Sequence, residues 1–275
     1  MIKKYFRTFL TYYREFNTLS FSIFFLPLLN TIANLFTLKK IIKLIDFNDK
    51  EKKIILRANN FITHFRANLF FAKEKEVRFF IDEYLEHDDH FIDVGANIGI
   101  FSMYAAIRKN AIVHSFEPEY SNLSLLKENI INNELIKNIF PYSLAVGKNN
   151  SITNLHIADI TPGAAVSSIS NDDISKTDEG FDVIWKEGVM ELTLDKICED
   201  LKIKANMIKI DTDGNEKNVL IGGEKTLKDK TLKYVIMEKP SDEKKLDYCY
   251  KLLQEYNFKE IKITNERNSF WKKND

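Results

Sequence analysis

From residue 90 onward the chain alternates short apolar runs with amphipathic stretches, and few folds accept that pattern. Residues 90–95 (HFIDVG) read as a strand buried on both faces of a parallel sheet, closing on Asp and Gly. Residues 99–110 (GIFSMYAAIRKN) follow as a helix, and 111–118 (AIVHSFEP) as a second strand. A second helix over 120–134 sets Leu123, Leu126, Ile130 and Leu135 along one face. A third strand, 139–146, turns at Gly147-Lys148-Asn149-Asn150, and the alternating SITNLHI after it is expected to fold back as a hairpin. Further strands are predicted at 189–194, 206–211 and 233–238, with a helix pair broken at Gly222-Gly223 between the last two. A helix over 241–256, capped by Ser241, precedes a closing hairpin of 258–263 with 268–272 that turns at Asn265. Residues 158–188 show no clear period and read as a long loop, a kind that often carries function. Such alternation predicts an α/β fold, a parallel sheet covered on both faces, with ligands at the carboxyl ends of its strands. The positions to search are therefore 93–99, 117–118, 143–147 and 211–216.

In front of this region, residues 74–86 form an amphipathic helical pattern, and 48–72 carry mixed charges on a helical period. Residues 16–38 hold no charged side chain, and lysines and arginines flank them on both sides. That length suffices to span a bilayer. Eight Asn, Ser and Thr residues dilute it, however, and Pro27 interrupts any helix. Docked helices are the first reading, a membrane-surface patch the second and a span the third. A cleavable leader fits poorly, because the apolar stretch starts late and lacks a small-residue cleavage site. The expected division is a helical hydrophobic extension over 1–72 and an α/β domain over 73–275. Its expected place is the cytoplasm, with the extension available to touch the inner face of a membrane and oligomerisation left open.

Forty basic residues balance forty acidic ones, so no global field steers the chain toward nucleic acid, and no nucleic-acid partner is expected. Cys198 and Cys249 stand apart with no metal-ligand spacing, which suits a reducing compartment. The five histidines are scattered, and no metal site is expected.

The first strand end reads Asp93-Val94-Gly95-Ala96-Asn97-Ile98-Gly99. Glycines permit the tight turn into a helix and let a ligand approach the backbone. Asn97 occupies the second-glycine slot of a dinucleotide fingerprint, so a pyrophosphate is disfavoured. A leading carboxylate, Asp93, suits a cationic group such as the amine of a methionine-derived moiety. Glu117 ends the second strand 24 residues later, where an acid accepts hydrogen bonds from ribose hydroxyls.

Taken in order, FIDVGANIGIFS, FEPEYSNLSLLKENIINN, SLAVG, ELTLDKI and IKIDTDGNEKNVLIGG resemble the FkbM family of S-adenosylmethionine-dependent methyltransferases over residues 74–260. The resemblance implies a class I Rossmann-like doubly wound sheet, mostly parallel with one antiparallel strand near the C-terminus. It implies S-adenosyl-L-methionine over Asp93, Gly95, Ala96, Asn97, Gly99 and Glu117, with the adenine near Ala145. It also implies O-methylation of a hydroxyl on a sugar, glycan, glycolipid precursor or small metabolite. Family members usually show K-I-D-x-E-G-x-E, whereas this chain has Lys209-Ile210-Asp211-Thr212-Asp213-Gly214-Asn215-Glu216, a carboxylate one methylene shorter at Asp213.

Methyl transfer is mostly positioning, and a carboxylate near a weak hydroxyl nucleophile adds roughly 10²–10⁴-fold. Asp211 is the candidate base, with a loop-ordering acid as its alternative. Glu216 and Asp213 are candidates to bind acceptor hydroxyls, and Lys209 is expected to snorkel. A catalytically silent interaction module is the alternative from another class, favoured only by the shortened Asp213.

Overall fold

The computed structural model describes residues 40–46, 49–70, 73–263 and 267–274. An antiparallel pair, β1 (Lys40–Asp46) and β2 (Asp49–Ala58), precedes the helices α1 (Phe61–Leu69) and α2 (Lys75–Tyr84). Then follow β3 (His90–Val94), α3 (Ile100–Lys109), β4 (Ile112–Phe116), α4 (Tyr120–Asn132) and β5 (Ile139–Tyr142). The middle of the chain supplies β6 (Ala145–Gly147), β7 (Ser151–Ile157), β8 (Ser167–Ser170), β9 (Trp185–Thr193) and α5 (Leu194–Leu201). It continues through β10 (Met207–Ile210), α6 (Glu216–Gly222), α7 (Glu224–Lys228) and β11 (Tyr234–Glu238). The last elements are α8 (Glu243–Glu255), β12 (Phe258–Ile261) and β13 (Asn268–Lys273).

Seven strands form the main sheet in the order β12-β13-β11-β10-β3-β4-β5. β13 alone runs against its neighbours, while β11, β10, β3, β4 and β5 are mutually parallel. This is the doubly wound class I arrangement implied by the resemblance, with its one antiparallel strand near the C-terminus. Successive side chains leave opposite faces of a strand, so the core divides in two. Phe91, Val113, Met207 and Ile236 meet α2, α3 and α4 on one face. Ile92, Ile208, Val235 and Trp271 meet α5, α6, α7 and α8 on the other. Some of the helices start where polar side chains satisfy free amides. Thr193 caps α5, and Asp242 rather than Ser241 caps α8 by accepting from Lys245.

Three parts depart from the sequence pattern. The helix expected over 48–72 is confined to 61–69, and Asp49–Ala58 is a strand. Ile54, Leu56 and Ala58 are buried on alternate positions, and the edge of β2 bonds to side chains instead of another strand. Asn133 exchanges two 2.7 Å hydrogen bonds with the Ile55 backbone, and Asn129 accepts from Arg57 N at 2.8 Å. The third strand breaks after Tyr142: β5 is a sheet edge, where Pro141 is tolerated, and the chain then crosses to a second sheet ordered β6-β9-β7-β8. There β7 pairs with β9 and β8, not with the third strand. The long loop over 158–188 accordingly contains β8 and the start of β9. Residues 16–38 and Asn265 lie outside the described residues. No helix among the described residues is long and apolar enough to cross a membrane.

Candidate active site

A cleft of about 860 Å³ opens at the carboxyl ends of β3, β4 and β10, where a doubly wound sheet reverses its strand order. Gly95, Ala96, Asn97, Glu117, Ala145, Asp211 and Asp213 line it, whereas Asp93, Gly99 and Glu216 do not. The four strand ends picked out by the sequence thus converge on one space.

Backbone conformation explains the glycines. Gly95 and Gly99 have φ of +77° and +83°, a region side chains avoid. A Cβ on Gly95 would sit 1.8 Å from the carbonyl oxygen of Asp211, and one on Gly99 would sit 2.2 Å from Leu126 Cδ1. The glycines therefore let protein segments cross; the expected close approach of a ligand is not what requires them. At Gly95 the β3 and β10 loops touch, so whatever rests on residues 95–97 lies beside Asp211.

Glu117 is the best-defined group on the wall. One oxygen accepts from Asn97 N at 2.8 Å and the other from Glu119 N at 3.0 Å. Burial pushes its pKa up to about 7, and those two amides pull it partly back.

Asp93 requires a correction. Its carboxylate is turned from the cleft, buried, and accepts from Ser102 Oγ at 2.6 Å, with Ser115 Oγ donating to Ser102 at 2.8 Å. Burial raises its pKa, while Lys209, 3.6 Å away, opposes the rise. It is not available to a ligand amine. Lys209 does not snorkel either: its side chain is 3% exposed, with Nζ 2.9 Å from Asp211. Burial works against its charge, but the two carboxylates outweigh that and raise its pKa above the usual lysine range.

Asp211 opens on the cleft with 24% of its side chain exposed. Burial works to raise its pKa, yet Lys209, a hydrogen bond with Glu238 and the charge of Arg267 hold it well below the usual carboxylate range. Glu238, at the end of β11, is moved the other way, first by burial and then by Asp211, and lies well above its ordinary value. Arg267 binds Glu238 at 2.8 Å and lies 3.7 Å from Glu74. Glu238 and Arg267 both line the cleft. The sequence reading missed them, although the strand-end rule applied to β11 points to Glu238.

Asp213 accepts from Val166 N at 2.6 Å. Its pKa is pushed up to about 6 by burial and by Asp211. Glu216 is fully buried and accepts from Thr212 N, Thr212 Oγ1 and Gly214 N, at 2.9, 2.9 and 3.2 Å. It orders the loop after β10, which replaces the expected contact with an acceptor.

A strap over residues 162–166 covers part of the cleft, and side chains from distant elements fix it. Asn97 and Asn122 both donate to Ala164 O, Asn122 also accepts from Gly163 N, and Arg66 of α1 donates to Gly163 O at 2.6 Å. Val166 holds φ of +73°, unusual for a β-branched residue, and the Asp213 bond secures it there.

The family model of the methyltransferase FkbM domain matches residues 93–260, well over half of the chain. The chain belongs to the FkbM methyltransferase family. Among solved structures it is similar to the FkbM methyltransferase from Methylobacillus flagellatus KT, with 14% identity and a TM-score of 0.47. That match covers 77% of this chain and 54% of the other, so this FkbM chain spans about half the length of that structure. The METTL16 methyltransferase domain aligns at 12% identity and TM-score 0.46, covering 83% of this chain and 84% of that one. The fibrillarin pre-rRNA processing protein of Methanococcus jannaschii aligns at 13% and 0.44, covering 74% and 75%. The expectation of no nucleic-acid partner, drawn from charge balance, gains no support. No curated protein matches this FkbM chain.

Proposed function

We propose that this FkbM methyltransferase binds S-adenosyl-L-methionine along Gly95–Asn97 and transfers its methyl group to a hydroxyl of a sugar, glycan or glycolipid precursor above Asp211. Glu117 carries the cofactor part. Each of its oxygens already accepts one backbone N–H, and each retains a lone pair able to receive a ribose hydroxyl. Burial, partly offset by these amides, brings its pKa up to about 7, and two added donors would hold it ionised. Ala145, on the same wall, suits the adenine. The bound cofactor supplies an electrophilic methyl group on a sulfonium.

The chain's own residues orient the acceptor. Asp211 faces the cleft as a carboxylate kept ionised by Lys209, able to accept a hydrogen bond from a hydroxyl and align its oxygen. Phe65, Phe70 and Phe101 on the cleft wall offer apolar faces to a sugar ring or a lipid stem. The uncharged stretch 16–38 supports a lipid-linked acceptor at the inner face of a membrane.

Calorimetric titration with S-adenosylmethionine tests the cofactor assignment. Glu117→Ala should weaken binding about 100-fold, as expected for two hydrogen bonds to a charged acceptor. A folded wild-type protein that binds none would sink the proposal.

A further inference from the structure

Below the proposed cofactor site a polar network runs from β4 through α3, β3 and β10 to β11. From Ser115 on β4 it passes through Ser102 on α3 to Asp93 on β3, then to Lys209 at the end of β10 and on to Asp211. Glu238 lies at the end of the neighbouring strand β11, and Arg267, just ahead of β13, joins it to Glu74. Asp211 and Glu238 directly follow Ile210 and Met237, which pair across the neighbouring parallel strands β10 and β11, so the two carboxyl groups stand side by side, each with its own cation. Two charged carboxylates in contact repel strongly, so such a pair retains one proton between them.

We propose that Asp211 and Glu238 form a proton-holding pair which the arrival of the cofactor's sulfonium charge empties, preparing it to take the proton of the acceptor hydroxyl. The proposal rests on the cofactor site described above. Contact between the 95–97 loop and Asp211 brings the cofactor's charge beside the pair. The emptied pair takes the hydroxyl proton as the new oxygen–carbon bond forms and the carbon–sulfur bond breaks with its electrons left on sulfur. A cation and a doubly charged pair become a neutral sulfide, a methyl ether and a singly charged pair, so charge balances. Lys209 acts through Asp211 and is a positioning residue.

The groups facing the pair are Asp93 from β3, Lys209 and Asp213 from β10 and its loop, Arg267 from β13 and Glu74 ahead of α2. Arg66 of α1 acts on Asp213. Asp211 lies below and Glu238 above its ordinary pKa, as sharing one proton requires.

Calorimetry in buffers of different ionisation enthalpy counts the protons exchanged on binding. At about pH 6.5 the ammonium groups of S-adenosylmethionine and S-adenosylhomocysteine are both charged, and Glu117 meets the same ribose in each. The cation should release roughly half to one proton more than the neutral sulfide. E238Q keeps the hydrogen bond but cannot ionise, so it should bind both ligands and abolish the difference. Should E238Q fail to fold, the wild type still decides. Its affinity for S-adenosylmethionine should rise several-fold between about pH 5.5 and 7 relative to S-adenosylhomocysteine. Equal proton counts, or a difference that survives in E238Q, would overturn the pair. Absence of binding by either ligand would overturn the cofactor site, and the pair with it.

Discussion

At the residue scale, Lys209 carries more consequence than its place in a short apolar strand suggests. With its side chain 3% exposed, Nζ lies 2.9 Å from Asp211, 3.6 Å from Asp93 and 5.3 Å from the centroid of the Phe101 ring. A lysine buried this deeply holds its charge only because two carboxylates surround it, and each of them depends on it in return. Removing one partner of a buried ion pair leaves a stranded charge and costs about 3–5 kcal/mol. Lys209→Met keeps the length of the side chain and should lower stability by that amount, read as a fall in the urea midpoint at neutral pH. Adding Asp93→Asn removes one stranded carboxylate and should recover part of the loss. If Lys209→Met left the midpoint within error of the wild type, Asp93 and Asp211 would have to be neutral or solvated in the folded protein.

At the scale of elements, the strap over 162–166 has little local structure and depends on side chains tens of residues away. Asn122 makes two of its bonds, accepting from Gly163 N at 2.6 Å and donating to Ala164 O at 3.1 Å. Each is worth about 1 kcal/mol net, so Asn122→Ala should speed hydrogen exchange of the 161–166 amides roughly tenfold or more while β3 and β10 stay protected. Unchanged exchange would mean that α1 and Asp213 suffice to hold the strap. Such anchoring also explains what could be read from the chain beforehand. The strands of the main sheet and their carboxyl ends were legible because burial on both faces produces short apolar runs. One topological rule then collected Gly95, Asn97, Glu117, Ala145, Asp211 and Asp213 into a single cleft. The strap was not legible, since long-range bonds from Asn97 and Asn122 leave no period in residues 158–188. Nor was β2, which has β1 on one edge and bonds on the other to Asn129 and Asn133. Asp93 misled for a geometric reason: it sits one residue before the end of β3, so its side chain points into the helix layer and meets Ser102.

For the whole molecule, the concentration of buried acids at one end of the sheet reverses the usual effect of pH on stability. Burial pushes Glu117 up to about 7, and Asp213 and Glu216 each up to about 6, while Glu238 also lies above its ordinary value. A carboxyl group with a raised folded pKa binds more protons folded than unfolded. Its stabilisation is complete below the unfolded pKa and is lost as pH rises through the folded one. His114 opposes this trend. Burial and His90 push it down to about 4, so it stays neutral when folded, and its contribution is lost as pH falls from about 6.5 toward 4. Between about pH 7.5 and 6.5 the histidine is largely silent and the acids act alone. The cofactor-free protein should therefore gain stability on mild acidification. Glu117 alone supplies ~0.7 kcal/mol between about pH 7.5 and 6.5, which corresponds to a Tm rise of roughly 2 °C. Saturating S-adenosylmethionine should flatten that slope, because ribose hydroxyls on Glu117 would keep it ionised throughout. Thermal melts across this range, with and without ligand, provide the measurement. A Tm that rises with pH in the cofactor-free protein would show that these acids are solvated rather than buried.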